Sequence, residues 1–356
     1  MDKNGYIPRG QFEPNYMEKA PNYSEIIKYA NNPNNGLDIQ FRGNYINIYY
    51  LGGSLLKLEG RNSFTFDENY FYRFSGDGLR ITDIDKRLLK PDYIKRCRGS
   101  KRFLSKCSDE ELEAYHLLSV KIKKELRQKK DNIIKRLKEA RGKEVGVVLE
   151  DMKSVMRDYK DNLSNTNIRK SNINERVIQH YISLFNKEKE SHSDFAVIDL
   201  EYELSEYASY RVPEEKKTKK GKKQPRIDIV AIEKKTGQLY VMELKYGMES
   251  TSGDAGIDVH FTDYLNSVGD DTKWRSFWED INILYNSQKK EGVLSDVKLK
   301  CSKPVFAFVL KPKTETDVDE FRKKVKEECS EHIPIITLPL DEDYNNPSPS
   351  SHYLVI

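Results

Sequence analysis

Three ionisable residues lie where the surrounding sequence specifies burial. The segment from Arg226 to Lys245 reads Arg-Ile-Asp-Ile-Val-Ala-Ile-Glu, then Lys-Lys-Thr-Gly, then Gln-Leu-Tyr-Val-Met-Glu-Leu-Lys. Its two apolar runs have the pattern of strands covered on both faces, joined by a turn at Lys234–Gly237. Asp228, Glu243 and Lys245 interrupt those runs. A charge tolerates such a position when it is paired or bound to a metal. If Glu233 faces Gln238 across the turn, Asp228 falls opposite Glu243, with Cβ atoms about 4.5–5.5 Å apart on one face. Lys245, two residues on, shares that face. A shorter loop with a glycine bulge at Gly237 would shift the register by one, so two registers stay open here.

Two carboxylates on one face repel each other unless a cation lies between them. Mg²⁺ typically takes one or two carboxylates and fills its shell with water and phosphate oxygens. A neighbouring lysine can orient a water and help remove its proton. Together these are the parts of metal-assisted phosphodiester hydrolysis. The plainer alternative is a salt bridge between Glu243 and Lys245 at a strand edge, with Asp228 a turn-proximal acid.

The elements that must position these residues are legible on either side. Ser171 to Asn186 has a helical stripe of Val177, Ile178, Tyr181, Ile182 and Phe185. A strand from Phe195 to Leu204, a lysine-rich loop and the β-ribbon follow. A helical region from Val259 to Asn286 comes next. Then come a buried strand from Val305 to Leu310, a helix from Val318 to Cys329 and a strand from Ile333 to Leu338. The order α-β-β-β-α-β predicts a mixed sheet with helices on both faces, making this half of the chain α/β within an α+β whole.

Asp228, followed after fourteen residues by Glu243-Leu244-Lys245, resembles the core motif of the PD-(D/E)XK nuclease superfamily, whose restriction-endonuclease-like fold has the same element order. Pro225 lies three residues before Asp228, so the literal Pro-Asp pair is missing. The resemblance spans roughly residues 170–340. It implies Mg²⁺ as cofactor with Mn²⁺ as substitute, Asp228 and Glu243 as metal ligands, and Lys245 as the residue that activates water. Glu175 matches the helix glutamate that many members use as a further metal or water contact. His260 and Tyr264 match the spacing of a Gln-x-x-x-Tyr pair, with histidine in place of glutamine, and imply substrate contact. Glu175 also suits a helix N-terminus, and His260 and Tyr264 suit packing.

The lysine-rich loop runs from Lys216 to Lys223 and leads into the Asp228 strand. Lys222, Lys223 and Arg226 are therefore candidates for phosphate contact, with a solvated loop as the alternative reading. No helix-turn-helix, zinc-finger or RNA-recognition signature is present.

The remainder of the 356 residues is less specific. Residues 1–106 read as a β-rich domain of unassigned role, with a β-meander from Leu37 to about Phe74 and a further strand at Tyr70-Phe71-Tyr72. Residues 107–169 read as a basic helical region opened by Ser108-Asp109-Glu110-Glu111, and residues 170–356 as the nuclease-like domain. The basic helices face either nucleic acid or solvent.

The chain is 37% hydrophobic and 33% charged, with 22 Tyr and 14 Phe, which excludes wholesale disorder. A net charge of +4 does not by itself announce nucleic-acid binding. Cys97, Cys107, Cys301 and Cys329 lack zinc-site spacing. No apolar stretch is long enough to span a bilayer, and no secretory signal is legible, so a cytoplasmic location is expected.

The combined expectation is a metal-dependent endonuclease acting on DNA, by analogy in bacterial restriction or anti-phage defence. An RNA-cleaving enzyme and a catalytically silent, partner-binding scaffold are the alternatives. Double-strand cutting with one site per chain would favour a homodimer, and the N-terminal domain could instead hold a partner protein.

Overall fold

The computed structural model describes residues 8–13, 15–60, 62–71, 73–75, 78–80, 109–164, 170–187, 192–204, 226–253, 256–294, 296–340 and 348–356. The architecture is mixed α+β. The chain divides into two units: Met1–Pro14, Gly36–Ile46 and Glu175–Ile356 form one, and Asn15–Asn35 with Asn47–Asn174 the other. The three sequential blocks read from the sequence thus interleave, because two short early segments group with the C-terminal half.

The second unit carries helix α1 (Tyr23–Ala30) and most of an antiparallel meander. Strands β1 (Asp38–Arg42), β2 (Tyr45–Tyr50), β3 (Gly53–Glu59) and β4 (Ser63–Thr65) form that sheet in chain order. The Tyr23 hydroxyl donates to the Glu59 and Ser63 carbonyls at 2.6 and 3.0 Å, anchoring α1 at the β3–β4 turn. Strands β5 (Arg73–Ser75) and β6 (Gly78–Arg80) pair as a short ribbon.

Tyr70 and Phe71 are not in a strand, as their aromatic character suggested, but in a 3-10 turn, Glu68–Phe71; Tyr72 lies outside the described residues. The turn lets both rings reach Phe66, at 5.6 and 5.7 Å, while the Tyr70 hydroxyl donates to the Ser54 carbonyl at 2.6 Å. The basic helical region is two helices, α2 (Asp109–Glu139) and α3 (Lys143–Ser164). Leu126, Ile133 and Leu137 bury one stripe of α2, whereas Lys124, Arg127, Lys129, Lys135 and Lys138 are exposed.

The first unit is built on a five-stranded mixed sheet. Helix α4 (Lys170–Phe185) precedes β7 (Phe195–Glu203), β8 (Arg226–Glu233) and β9 (Leu239–Tyr246); α5 (Ile257–Leu265), α6 (Trp274–Lys290), β10 (Val305–Lys311), α7 (Asp317–Glu328) and β11 (Ile335–Thr337) follow. The order across the sheet is β11-β10-β9-β8-β7. β7, β8 and β9 pair antiparallel, whereas β9, β10 and β11 pair parallel.

Both faces are covered. Ile178 and Ile182 of α4 pack on Ile229, Ala231, Met242, Leu244, Ala307 and Val309. On the other face Phe306 meets Phe261 of α5 at 5.8 Å, and Phe308 meets Phe321 of α7 at 5.5 Å. The single helical region expected from Val259 to Asn286 is interrupted between α5 and α6, where Asp270 caps a turn by accepting from the Thr272 amide at 2.8 Å.

The ribbon settles the question of register. Ile229 pairs with Met242, Val230 with Val241, Ala231 with Tyr240 and Ile232 with Leu239, the pairing in which Glu233 faces Gln238. The Glu233 amide donates to the Gln238 carbonyl at 2.9 Å and the Gly237 amide to the Glu233 carbonyl at 2.8 Å. Gly237 is required by this turn: its φ is 76°, and a Cβ there would meet the Lys298 carbonyl oxygen at 2.9 Å.

Candidate active site

Strand alternation orients the three ribbon charges. Met242 and Leu244 enter the core shared with α4, so Glu243 and Lys245 project from the opposite face. Asp228, preceding the core residue Ile229, does likewise. The paired stretch ends at Ile229 and Met242, and beyond it the strands are joined by a side chain: the Leu244 amide donates to Asp228 Oδ2 at 2.9 Å.

Glu243 is 7% exposed and Lys245 2%. Lys245 Nζ lies 3.2 Å from Glu243 Oε1, and His260 Nε2 of α5 lies 3.1 Å from the same oxygen. Among the described residues, nothing donates a hydrogen bond to Glu243 Oε2 or to Asp228 Oδ1. Glu175, on α4, feels the charges of Lys245 and Arg176.

Burial and neighbouring carboxylates make these acids hold their protons more tightly than usual. Burial raises the Asp228 carboxyl to about 7, and the Glu175 charge adds to the rise against the Leu244 amide and Lys245. Burial, then the Asp228 charge, pushes Glu243 well above the ordinary carboxylate range. Glu175 is raised chiefly by burial. His260 moves the other way: burial, then the Lys245 charge, lowers it to about 3 and keeps the imidazole neutral.

These shifts set a pH dependence. Unfolded carboxyls ionise near pH 4, whereas Asp228 in the folded protein keeps its proton to about pH 7. Between those values the folded state binds the extra proton, so the Asp228 contribution to stability falls as pH rises and levels off above about 7. Urea midpoints of the metal-free protein at successive pH values will show this decline, and Asp228→Asn will remove its share. An unchanged slope in that variant would contradict the assignment.

Among the described residues, no group of three or more His, Cys, Asp or Glu is placed so that it could hold a metal ion. The donor chemistry nevertheless suits a hard divalent cation that uses one or two carboxylates and completes its shell with water and phosphate. Glu243 Oε2 and Asp228 Oδ1 are the two oxygens to which no described residue donates.

The other sequence candidates separate. His260 joins the site. Tyr264 does not: its hydroxyl donates to the Pro304 carbonyl at 2.9 Å, its ring stacks on Phe306 at 5.1 Å, and burial raises it to about 12. Arg226 is half-exposed and pairs with Glu203 at 2.7 Å. Lys222 and Lys223 lie outside the described residues.

Sequence reasoning missed Glu201. Leu200 pairs with Ile229 and Tyr202 with Ile227, which sets Glu201 level with Asp228 on the neighbouring strand. Its charge raises the affinity of both Asp228 and Glu175 for protons. The signal was the spacing Asp199-Leu200-Glu201-Tyr202-Glu203, which looks like the polar side of an edge strand.

No protein-family model, curated protein or solved structure matches the chain. Among the described residues, no helix is long and apolar enough to cross a membrane.

Proposed function

We propose that this chain is a divalent-cation-dependent nuclease that hydrolyses phosphodiester bonds, with DNA as its substrate. The observation that carries this reading is the buried Glu243 with Lys245 Nζ at 3.2 Å, beside Asp228 where the paired stretch of the β8–β9 ribbon ends, with the Lys245 charge felt at Glu175. The α-β-β-β-α-β order, with Asp228 on its second strand and Glu243 and Lys245 on its third, supports a PD-(D/E)XK-type site.

Asp228 and Glu243 would hold Mg²⁺ or Mn²⁺, with Glu175 in support; when bound, the ion supplies Lewis-acid stabilisation at the phosphate and acidifies a water. The chain's own residues supply the rest. Lys245 is fixed by Glu243, so its ammonium can orient the attacking water and offset charge developing on the phosphate. His260 is neutral near pH 7. With Glu243 ionised, the 3.1 Å contact places the imidazole proton on Nε2, holding Glu243 Oε1 and leaving Nδ1 as an acceptor. The exposed basic face of α2 suits sequence-independent contact with a phosphate backbone.

The test is cleavage of plasmid DNA and of a single-stranded RNA by the full chain with Mg²⁺ or Mn²⁺, beside Glu243→Ala and Lys245→Ala. DNA cleavage lost in both variants is expected. Cleavage that survives both would reject the site, and cleavage confined to RNA would replace the substrate.

A further inference from the structure

Helix α2 has two unlike faces over its described side chains. Leu126, Ile133 and Leu137 are buried, and this side is tied down at its margins: Arg136 reaches Asp151 of α3 at 2.6 Å, and Lys130 reaches Glu68 at 3.3 Å. The opposite side turns Lys124, Arg127, Gln128, Asn132, Lys135 and Lys138 outward, all of them exposed. Residues 124–143 hold nine basic side chains against three acidic ones. That excess is larger than the +4 of the whole chain, so basic charge is concentrated here rather than spread over the surface.

Three features point to what meets this face. The ammonium groups of Lys124, Lys135 and Lys138 pair with no carboxylate among the described residues, and Arg127 stays exposed although it lies 3.7 Å from Glu68. Lys124 with Arg127, and Lys135 with Lys138, stand three residues apart on one face, where like charges oppose helix formation. An array of phosphates would relieve that repulsion. From Lys124 to Lys138 the helix rises about 21 Å. That is enough to cross the roughly 12 Å major groove of a duplex, which admits a helix, and to leave a cation pair near the phosphates on each side. Asp131, the acid between the two pairs, lies 3.9 Å from Lys130. An anionic membrane fits poorly, because the apolar stripe that would enter it is already buried. A protein interface fits poorly too, because the centre of one is rich in aromatic side chains and poor in lysine.

We propose that the outer face of α2 is a docking surface for duplex DNA, lying in the major groove with Lys124, Lys135 and Lys138 on backbone phosphates. It needs neither a divalent cation nor the carboxylates of the other unit, so it goes beyond the nuclease reading: the chain holds DNA even where it cannot cut it.

Fluorescence anisotropy of a labelled DNA duplex with the full chain, in chelator and across a salt series, tests it. One variant combines Lys124→Gln, Lys135→Gln and Lys138→Gln. A control combines Lys290→Gln, Lys298→Gln and Lys326→Gln, removing equal charge from exposed lysines of the other unit. The α2 triple variant should bind at least tenfold more weakly than wild type at about 0.1 M salt. It should also flatten the slope of log K against log salt by about 2–3, close to one for each lost phosphate contact. Its urea midpoint should not fall, since the substitutions relieve repulsion, so weaker binding reports the lost charges. The control should bind as wild type does. Wild-type affinity and slope in the α2 triple variant overturn the inference, as does equal weakening in the control or a wild type that binds no duplex in chelator. Tighter binding to phosphatidylserine vesicles than to duplex, lost in the same variant, also overturns it and assigns the face to a membrane. Duplex binding that depends on α2 in a protein that never cleaves DNA with Mg²⁺ upholds this inference and rejects the nuclease reading.

Discussion

Glu243→Gln is expected to slow cleavage by about 10³-fold while making the metal-free protein more stable. The two effects have one origin. Glu243 is buried beside Asp228 and is pushed well above the ordinary carboxylate range, first by burial and then by the Asp228 charge, so its ionised form is disfavoured in the metal-free protein. The amide keeps the shape and can still accept from Lys245 through its carbonyl oxygen, but it cannot ionise. The gain should grow as pH rises through the range in which the Glu243 carboxyl ionises, because only the charged form is penalised by burial.

Lys245→Met separates this from simple loss of packing. It removes the ammonium that Glu243 holds at 3.2 Å and leaves buried carboxylates uncompensated, a change that costs about 3–5 kcal/mol. Chemical denaturation in chelator, beside plasmid cleavage with Mg²⁺, reads both quantities. Lower stability in Glu243→Gln would mean the glutamate is a structural salt-bridge partner, and the functional reading would lose its physical basis.

The second large effect is expected at Asp199. Its carboxylate accepts from Arg9 and from Arg42, the latter at 2.7 Å, and its Oδ1 also takes the Leu200 amide at 2.9 Å. Asp199→Ala strands two guanidiniums that are only 15% and 10% exposed. Breaking a buried ion pair by removing one partner costs about 3–5 kcal/mol. Arg42→Ala should be severe as well, and combining it with Asp199→Ala should add much less than the sum of the two, because the groups form one network. Denaturant midpoints for the two single variants and the double would measure this. Additive losses would mean that Arg9, Asp199 and Arg42 do not act as a unit.

The ribbon was legible because its information is local. The turn from Lys234 to Gly237 and the apolar runs beside it contain all that places Asp228 near Glu243, and the observed register is the one in which they face each other. The order of strands and helices from α4 to β11 was legible for the same reason, since each element carries its own periodicity.

What escaped depended on partners far along the chain. The Leu200 and Glu201 carbonyls and the Asp199 carboxylate take their partners from arginines at positions 9 and 42, which no window around β7 contains. Tyr264 had the spacing to join His260, but the Pro304 carbonyl takes its hydroxyl. Tyr70 and Phe71 had strand-like composition, and contacts with Phe66 decided for a turn. The grouping of Gly36–Ile46 with the C-terminal half is likewise a long-range outcome.

The contact between Arg9 and Asp199 joins residues 190 positions apart, and everything in the second unit is synthesised between them. Closing so long a loop is entropically expensive before any contact compensates for it, and long-range closure slows folding. On the ribosome, Arg9 must therefore wait without its acceptor until β7 has emerged, and a nascent chain halted within α3 would hold that arginine without its acceptor.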